Sequence, residues 1–197
     1  SLYLTKKIIK GDSATDIKEF DGLQNRITGS QLIAAGSTNG GDALSLAKLD
    51  EAIDAVDNPT HLIMSKAMKR RITAAARDVD VGGYISYSVD AFGRKVTNYN
   101  DLPILIADYD DTGARILDFD EVGPGGSTAT ATSIYVVSFG ENMLTGLQNG
   151  IMKVRDLGEL DSKPVKRTRV EWYVSLAALH GRCAARLWGI SNAAVVA

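Results

Sequence analysis

Two stretches of the chain carry apolar residues every three or four positions, a spacing that places them on one face of a helix. The first is DALSLAKLDEAIDAVDN, which predicts an amphipathic helix over 42–57 with Asp42 or Ser45 as its N-cap. Pro59 disfavours helical geometry in the residue before it, so this helix must end at or before Asn58. The apolar positions are Leu46, Leu49, Ile53 and Val56.

The second stretch follows a short predicted strand, THLIMS, and is basic. Met64, Met68 and Ile72 mark its buried face, whereas five cations fall within the twelve residues 66–77. Such a helix is either the solvated side of a core helix or a phosphate-binding surface. We interpret it as solvated, or as a rim contact between subunits, and a nucleic-acid-binding module using helix 68–77 is the alternative. The solvated side comprises Lys66, Lys69, Arg70, Thr73 and Arg77, with Arg71 beside the apolar stripe.

Alternating apolar and polar residues predict strands in the second half of the chain. Turn residues separate YISYSV, RKVTNY, PILIADY and ARILDF, and the nearly continuous apolar run SIYVVSFG is typical of a central strand. Residues 169–176 alternate, and a turn at His180 and Gly181 predicts that RCAARLWGI returns as a closing hairpin or a long bent ribbon. Residues 1–20 alternate loosely, which favours a strand or an extended arm over a helix.

Composition and charge limit the classes of protein to which the chain can belong. The chain has 197 residues, 45% of them apolar, which suffices for a core without disulfides or metal. A formal charge of −2 gives no long-range attraction to a polyanion. One cysteine, Cys183, allows no intrachain disulfide, SLYLTKKIIKGD is unlike a signal peptide, and no apolar run has the length of a membrane span. We expect a soluble, intracellular protein.

The sequence pattern does not bring a serine or cysteine nucleophile together with a histidine base. The two histidines are the only near-neutral bases. His61 opens a strand and His180 lies in a predicted turn, so both are interpreted as structural. Cys183 lies three residues from His180, a spacing that points the two side chains to opposite faces of a strand. The sequence therefore predicts no enzyme.

The acidic segment DYDDTGARILDFDE imitates the first half of a calcium-binding loop. Asp108 and Asp110 have suitable positions, but Phe119 stands where the bidentate glutamate belongs. The loop GPGGSTAT lacks the lysine of a phosphate-binding loop and is interpreted as a flexible connector. We predict no metal and no cofactor, with a metal-dependent hydrolase at Asp108, Asp110 and Asp111 as a rival hypothesis.

Three longer segments, in their order along the chain, resemble the major capsid proteins of tailed bacteriophages, which have the Hong Kong 97-type fold. They are LAKLDEAIDAVDNPTHLIMSKAMKRRITAAAR, AFGRKVTNYNDLPILIADY and SIYVVSFGENMLTGLQNGIMKVRDLGE. The resemblance extends over roughly 20–190. It relates 44–56 to the spine helix of that family, 92–96 and 102–109 to its paired strands, and 167–190 to its closing strand ribbon.

The resemblance implies an α+β fold with a spine helix, a peripheral domain bearing a long antiparallel strand ribbon, and an axial domain. It implies a remnant of an extended arm or E-loop at 1–22. The peripheral domain would comprise 23–65 and 157–197, including the spine helix 42–57, and the axial domain 66–156. Because the family carries a longer arm and E-loop before the spine helix, a truncated or processed form is expected.

The function implied is that of a structural major capsid protein, which self-assembles into the icosahedral head of a tailed phage or prophage. Assembly would occur in the bacterial cytoplasm, and the product would be the virion capsid. The expected partners are copies of the chain in pentamers and hexamers, packaged double-stranded DNA bound without sequence specificity, and scaffold, portal or decoration proteins, with no membrane. An encapsulin-like compartment shell is the alternative within the same fold. The expected subunit contacts are Lys6, Lys7, Lys10, Asp50, Glu51, Asp54, Gly123, Gly125 and Gly126.

Overall fold

The centre of the structure is a mixed sheet of eight strands. The computed structural model describes residues 2–77, 85–89, 91, 93 and 95–196. Within these ranges the helices are α1 (Leu2–Lys10), α2 (Leu23–Arg26), α3 (Leu46–Asp54) and α4 (Lys66–Ala75), with a 3-10 turn at Gly29–Gln31. The strands are β1 (Leu32–Ala34), β2 (His61–Met64), β3 (Ile85–Val89), β4 (Lys95–Tyr99), β5 (Leu102–Ile106), β6 (Glu121–Val122), β7 (Ala129–Val137), β8 (Leu144–Gln148), β9 (Lys153–Leu160), β10 (Lys163–Glu171), β11 (Val174–Ala178) and β12 (Ala184–Ile190).

The large sheet has the strand order β1-β12-β7-β2-β5-β4-β3, and β6 also pairs with β7. The pairs β1 with β12 and β2 with β5 are parallel, and the other neighbours are antiparallel. Strands β9 and β10 form one separate two-stranded sheet, and β8 and β11 form another. The large sheet takes strands from both the predicted peripheral and the predicted axial ranges, and the domain boundaries stay a prediction.

Hydrophobic clusters cover both faces of the central strands. Leu62 of β2 and Val136 of β7 pack in one cluster with α3 and α4. Their neighbours Ile63 and Val137 belong to the second cluster, which contains Ile9 of α1. Successive side chains of a strand point to opposite faces. One face of the sheet is therefore covered by α3 and α4, and the other by a layer that includes α1, α2 and residues 116–117.

Helix α3 confirms the first predicted helix with shorter bounds. Ser45 is its N-cap residue, and the helix ends at Asp54 with Ala55 as its C-cap, before the proline, as predicted. Asp42 takes part in the preceding loop, where its carboxylate accepts hydrogen bonds from the backbone N–H of Thr38 (2.9 Å) and from its hydroxyl (2.7 Å). The helix therefore begins later than the apolar spacing alone indicates.

Helix α4 confirms the second predicted helix. Met68 and Ile72 are fully buried, and the Ser65 hydroxyl caps the helix by accepting a hydrogen bond from the Met68 backbone N–H at 3.3 Å. Arg71, beside the apolar stripe, donates two hydrogen bonds to the Asn192 side-chain oxygen at 3.2 and 3.0 Å. The basic character of the second stretch is thus carried by the outer side of a core helix.

The prediction of a strand or extended arm over 1–20 is wrong, because Leu2–Lys10 is helix α1. Ile9 is 1% exposed and packs beneath the sheet. Lys6, Lys7 and Lys10 recur at spacings of four and three residues, so the polar positions follow a helical period that the loose apolar alternation hides.

The predicted closing hairpin is also wrong. The turn near His180 is present, but it connects β11, which pairs with β8, to β12, which lies between β1 and β7. Residues 184–187 of β12 are all buried, so the strand presents side chains to both hydrophobic clusters. A strand covered on both faces belongs inside a large sheet.

Most other predicted strands are confirmed. β3 and β4 lie within YISYSV and RKVTNY, and β5 and β7 overlap PILIADY and SIYVVSFG. The strand prediction for ARILDF is wrong, because residues 114–119 form bends, with an isolated bridge from Arg115 to Tyr109. Tyr84, Phe92 and Arg94, which fall within these predicted strands, lie outside the described residues.

Replacing Ile72 with alanine should lower the free energy of unfolding by about 3 kcal/mol, because the change removes buried methyl groups and leaves a cavity under α4. Urea titration of the purified chain measures this difference. The matched control is Arg77→Ala just beyond the same helix, where the side chain is exposed and a change within about 0.5 kcal/mol is expected. Equal effects at the two positions would contradict the assignment of the buried face.

Candidate assembly surfaces

Strands β9 and β10 form an antiparallel pair that we call the exposed hairpin (153–171). Residues 153–159 and 161–170 are exposed throughout, and among the described strands the two pair only with each other. An isolated two-stranded hairpin is marginally stable at best in water. The exposed hairpin is therefore suited to being covered by another surface.

One end of the exposed hairpin, where β9 begins and β10 ends, carries exposed apolar side chains. Val154 and Val170 are cross-strand partners and are 65% and 59% exposed. Met152 and Trp172 lie immediately outside the two strands at the same end of the hairpin, and are 52% and 43% exposed. A cluster of exposed apolar side chains is typical of an interaction site.

The base of the exposed hairpin and helix α1 enclose an apolar groove of about 460 Å³. Tyr3, Leu4 and Phe20 line it from the N-terminal side, and Met152 and Trp172 from the hairpin. The apolar end of the hairpin therefore borders a concave surface beside α1.

The three N-terminal lysines predicted as subunit contacts each have a partner within the chain. The Lys6 ammonium donates to the Asp110 carboxylate at 2.7 Å, and Lys7 pairs with Glu19. Lys10 approaches Asp120 at 3.4 Å. These charges hold α1 and the loop after it against the body of the protein.

The acidic residues predicted as contacts on α3 differ in their surroundings. The Asp50 carboxylate accepts a hydrogen bond from the Tyr99 hydroxyl at 2.9 Å. Glu51 pairs with Lys48 at 2.7 Å, one helical turn away. Asp54 is exposed, so it is the acid of this group most available to another surface.

The glycine loop packs against the other glycine-rich connector. A side-chain carbon at Gly125 would overlap the Ser37 carbonyl oxygen, and one at Gly126 would overlap the Asn39 side chain. Gly123 is buried and would bring such a carbon to 3.1 Å from the Gly41 nitrogen. These glycines permit the close approach of two backbones, and the interpretation of the loop as a flexible connector stays a prediction.

Comparisons with known proteins agree with this architecture. No protein family model matches the chain, and no curated protein matches its sequence. Among solved structures, the chain is similar to a chain of the holo-SrpI encapsulin complex from Synechococcus elongatus, with a TM-score of 0.65 and 20% sequence identity. The fold is similar to that of an encapsulin shell protein.

The encapsulin likeness confirms the coarser part of the fold prediction, a mixed α+β chain with a large sheet and a Hong Kong 97-like fold. It covers 90% of this chain, and this chain spans 59% of the length of the encapsulin chain. At this identity the likeness shows the fold alone.

The surroundings of the residues considered for catalysis favour a structural role. Burial lowers the pKa of His61, which favours a neutral ring, and raises the pKa of the Cys183 thiol, which favours the unreactive protonated form. The ring of His61 packs edge-on against Phe139, with the ring centroids 5.5 Å apart. The His180 ring accepts a hydrogen bond at Nδ1 from the Arg182 backbone N–H at 3.2 Å, and its hydrogen bond with Cys183 runs between backbone groups, from the Cys183 N–H to the His180 carbonyl at 3.2 Å.

The acidic segment is a turn held by its own hydrogen bonds. The Asp110 carboxylate is buried and accepts from Lys6, from the Thr112 hydroxyl at 2.7 Å, and from the Ala114 backbone N–H at 2.9 Å. No group of three metal-ligating side chains occurs among the described residues. Across the same part of the chain, every helix is too short or too polar to cross a bilayer.

The exposed hairpin is the candidate surface that sequence reasoning missed. The alternation over 169–176 indicated one apolar face, but it gave no sign that the partner strand would be β9 or that no layer of the same chain would cover the pair. The signal available was the density of charge in KVRDLGEL and KPVKRTRVE, which is unlike a strand buried within a sheet.

The Asp110→Asn substitution should destabilise the chain at neutral pH, and the difference from the wild type should shrink as the pH falls below about 4. The hydrogen bond from Lys6, followed by those from Thr112, holds the pKa of Asp110 well below its ordinary value of 3.8. A carboxylate whose folded-state pKa is lowered stabilises the fold above the unfolded pKa, and loses this effect as pH falls through the folded pKa.

Thermal unfolding across this pH range measures the effect. Asp111→Asn is the matched control, because Asp111 is the adjacent exposed acid and has no hydrogen bond to the described residues. A gap for Asp110→Asn that stays constant from neutral to acidic pH would contradict the role given to the Lys6 contact.

Proposed function

We propose that this chain is a structural subunit of a self-assembling protein shell, and that its work is assembly and not catalysis. The observation that carries the proposal is the fold likeness to an encapsulin shell protein over 90% of the chain. The exposed hairpin and the apolar groove beside α1 support it, because both present surface that a neighbouring subunit would cover.

Assembly of such a shell depends on the geometry of the contacts between subunits. Copies that contact one another head to tail form rings when the rotation closes, as in pentamers and hexamers. Many weak contacts per subunit then give a stable shell without any single tight interface. The exposed hairpin would serve as one contact, with the exposed Asp54 side of α3 as a second.

Two kinds of shell are proposed on this basis. One is the head of a tailed phage or prophage, assembled in the bacterial cytoplasm around double-stranded DNA with the help of scaffold, portal or decoration proteins. The other is an encapsulin-like compartment with a protein cargo. The fold likeness supports both equally.

Purified particles should distinguish the two kinds of shell by their contents. A phage head should yield nuclease-protected DNA after the protein is denatured, whereas a compartment shell should yield a second polypeptide in fixed ratio. Ultraviolet absorbance, nuclease treatment and gel electrophoresis of the same particles make the measurement. Particles that contain neither would contradict both forms of the proposal.

The double substitution Val154→Ser with Val170→Ser should weaken self-association by about tenfold or more, because two valines that become buried at a contact lose their hydrophobic contribution. Sedimentation velocity over a range of concentrations, with negative-stain electron microscopy, measures association. Circular dichroism should show that the main sheet stays folded.

The matched control is Val89→Ser with Leu105→Ser, which changes two exposed apolar residues of the large sheet and leaves the net charge unchanged. Association should persist in this control. If the control loses association and the hairpin variant keeps it, the hairpin is not the contact. A wild-type chain that stays monomeric under every condition would refute self-assembly.

A further inference from the structure

The outer side of α4 forms one wall of a basic cleft of about 520 Å³, which we call the cationic cleft. The opposite wall is the end of β5 and the turn that follows it. Four cations from these two separate parts of the chain line the space, with Asp108 as the only carboxylate of the lining. The cations are Lys66, Lys69, Arg70 and Arg115.

Three of these cations lack an acidic partner within the described part of the chain. No carboxylate there approaches Lys66, Lys69 or Arg70 within 4.0 Å, in contrast to Lys6 and Lys10 on α1. Arg115 lies 3.6 Å from Asp118. The positive charge of the cleft is therefore left largely uncompensated by the protein.

The first turn of α4 adds to this potential. Lys66 and Ala67 begin the helix and line the cleft, while the Ser65 hydroxyl takes the N–H of Met68. Backbone N–H groups at the start of a helix carry partial positive charge and favour phosphate groups. The helix end and the four side chains thus act on the same space.

The opposite wall offers a surface for a planar, partly apolar group. Tyr109 is 47% exposed and Ile106 is 44% exposed. The Arg115 guanidinium lies 5.9 Å from the centre of the Tyr109 ring. Proteins that bind single-stranded nucleic acid combine a positively charged groove with aromatic side chains on which bases stack.

We propose that the cationic cleft binds a single nucleic-acid strand, with Lys66, Lys69, Arg70 and Arg115 contacting phosphates and Tyr109 contacting a base. This goes beyond the proposed shell function and does not depend on it. An acidic protein segment would satisfy the cations, but it would leave the exposed Tyr109 and Ile106 without a reason to lie in the cleft.

The structure also changes which residues would bind. The sequence-based alternative placed nucleic-acid binding on helix 68–77 and therefore included Arg77, which does not line the cleft. It omitted Lys66, and it omitted Arg115, which lies far along the chain and comes to the site only through the fold.

The test uses the purified chain and a fluorescein-labelled oligo-dT of about ten nucleotides, within the site sizes common for single strands. Fluorescence anisotropy gives the dissociation constant at several salt concentrations. Contacts from four cations predict a slope of about −3 in a plot of log affinity against log salt. A slope near zero in the wild-type chain would overturn the proposal.

Two variants separate charge from stacking. Lys69→Ala with Arg70→Ala should weaken binding by about tenfold or more and make the slope shallower by about 1.4, because two phosphate contacts are lost. Tyr109→Ala should weaken binding by about tenfold with the slope unchanged, because base stacking releases no counterions. A Tyr109→Ala variant that binds as well as the wild type would overturn the base contact.

The matched control is Lys18→Ala with Arg77→Ala, which removes two exposed cations outside the cleft. Its affinity and slope should stay close to those of the wild type. Equal weakening in the control would show that binding follows net charge and would overturn the site. Displacement of the oligonucleotide by polyglutamate as readily as by unlabelled oligo-dT would assign the cleft to acidic protein segments instead.

Discussion

Burial on both faces of the central strands is the constraint on which the structure depends. Strands β2, β7 and β12 place alternate side chains in two separate hydrophobic clusters, so neither face can be left to water. Helices α3 and α4 cover one face, and α1 and α2 contribute to the cover of the other. The lysines of α1 are consequently used to fasten that second layer, through carboxylates at Asp110, Glu19 and Asp120.

Some charged side chains therefore have an ion-pair partner within the protein, and others do not. The cations of α1 are neutralised by the chain itself, and Arg186 is buried in an ion pair with Glu121 at 2.8 Å. The exposed hairpin and the cationic cleft are different, because the first lacks a covering layer and the second lacks counter-charges. An uncovered apolar surface and an uncompensated group of cations are the two features of this protein best suited to binding another molecule.

The sequence predicted the elements whose signals are local. The spacing of Leu46, Leu49 and Ile53 sufficed for α3, and the apolar run in β7 sufficed for a central strand. Pairing was harder, because β12 joins β7 and β1 across long stretches of chain, and no local pattern distinguishes that from a hairpin. For the same reason, the sequence indicated only part of the cationic cleft. The cations of α4 follow from the sequence pattern, but Arg115 comes near them only through the tertiary structure.

The position of β12 has a consequence for how the polypeptide reaches its final state. β1 and β7 are not neighbours, and each gains β12 as a hydrogen-bonded partner only when residues 184–190 enter between them. Such distant pairings carry a large loop-closure entropy and slow the search for the native state. During synthesis, residues 153–171 leave the ribosome before β12 does. The exposed hairpin is therefore available for association while the central sheet still lacks that strand. Chaperone protection of this intermediate would keep premature clustering from competing with correct folding.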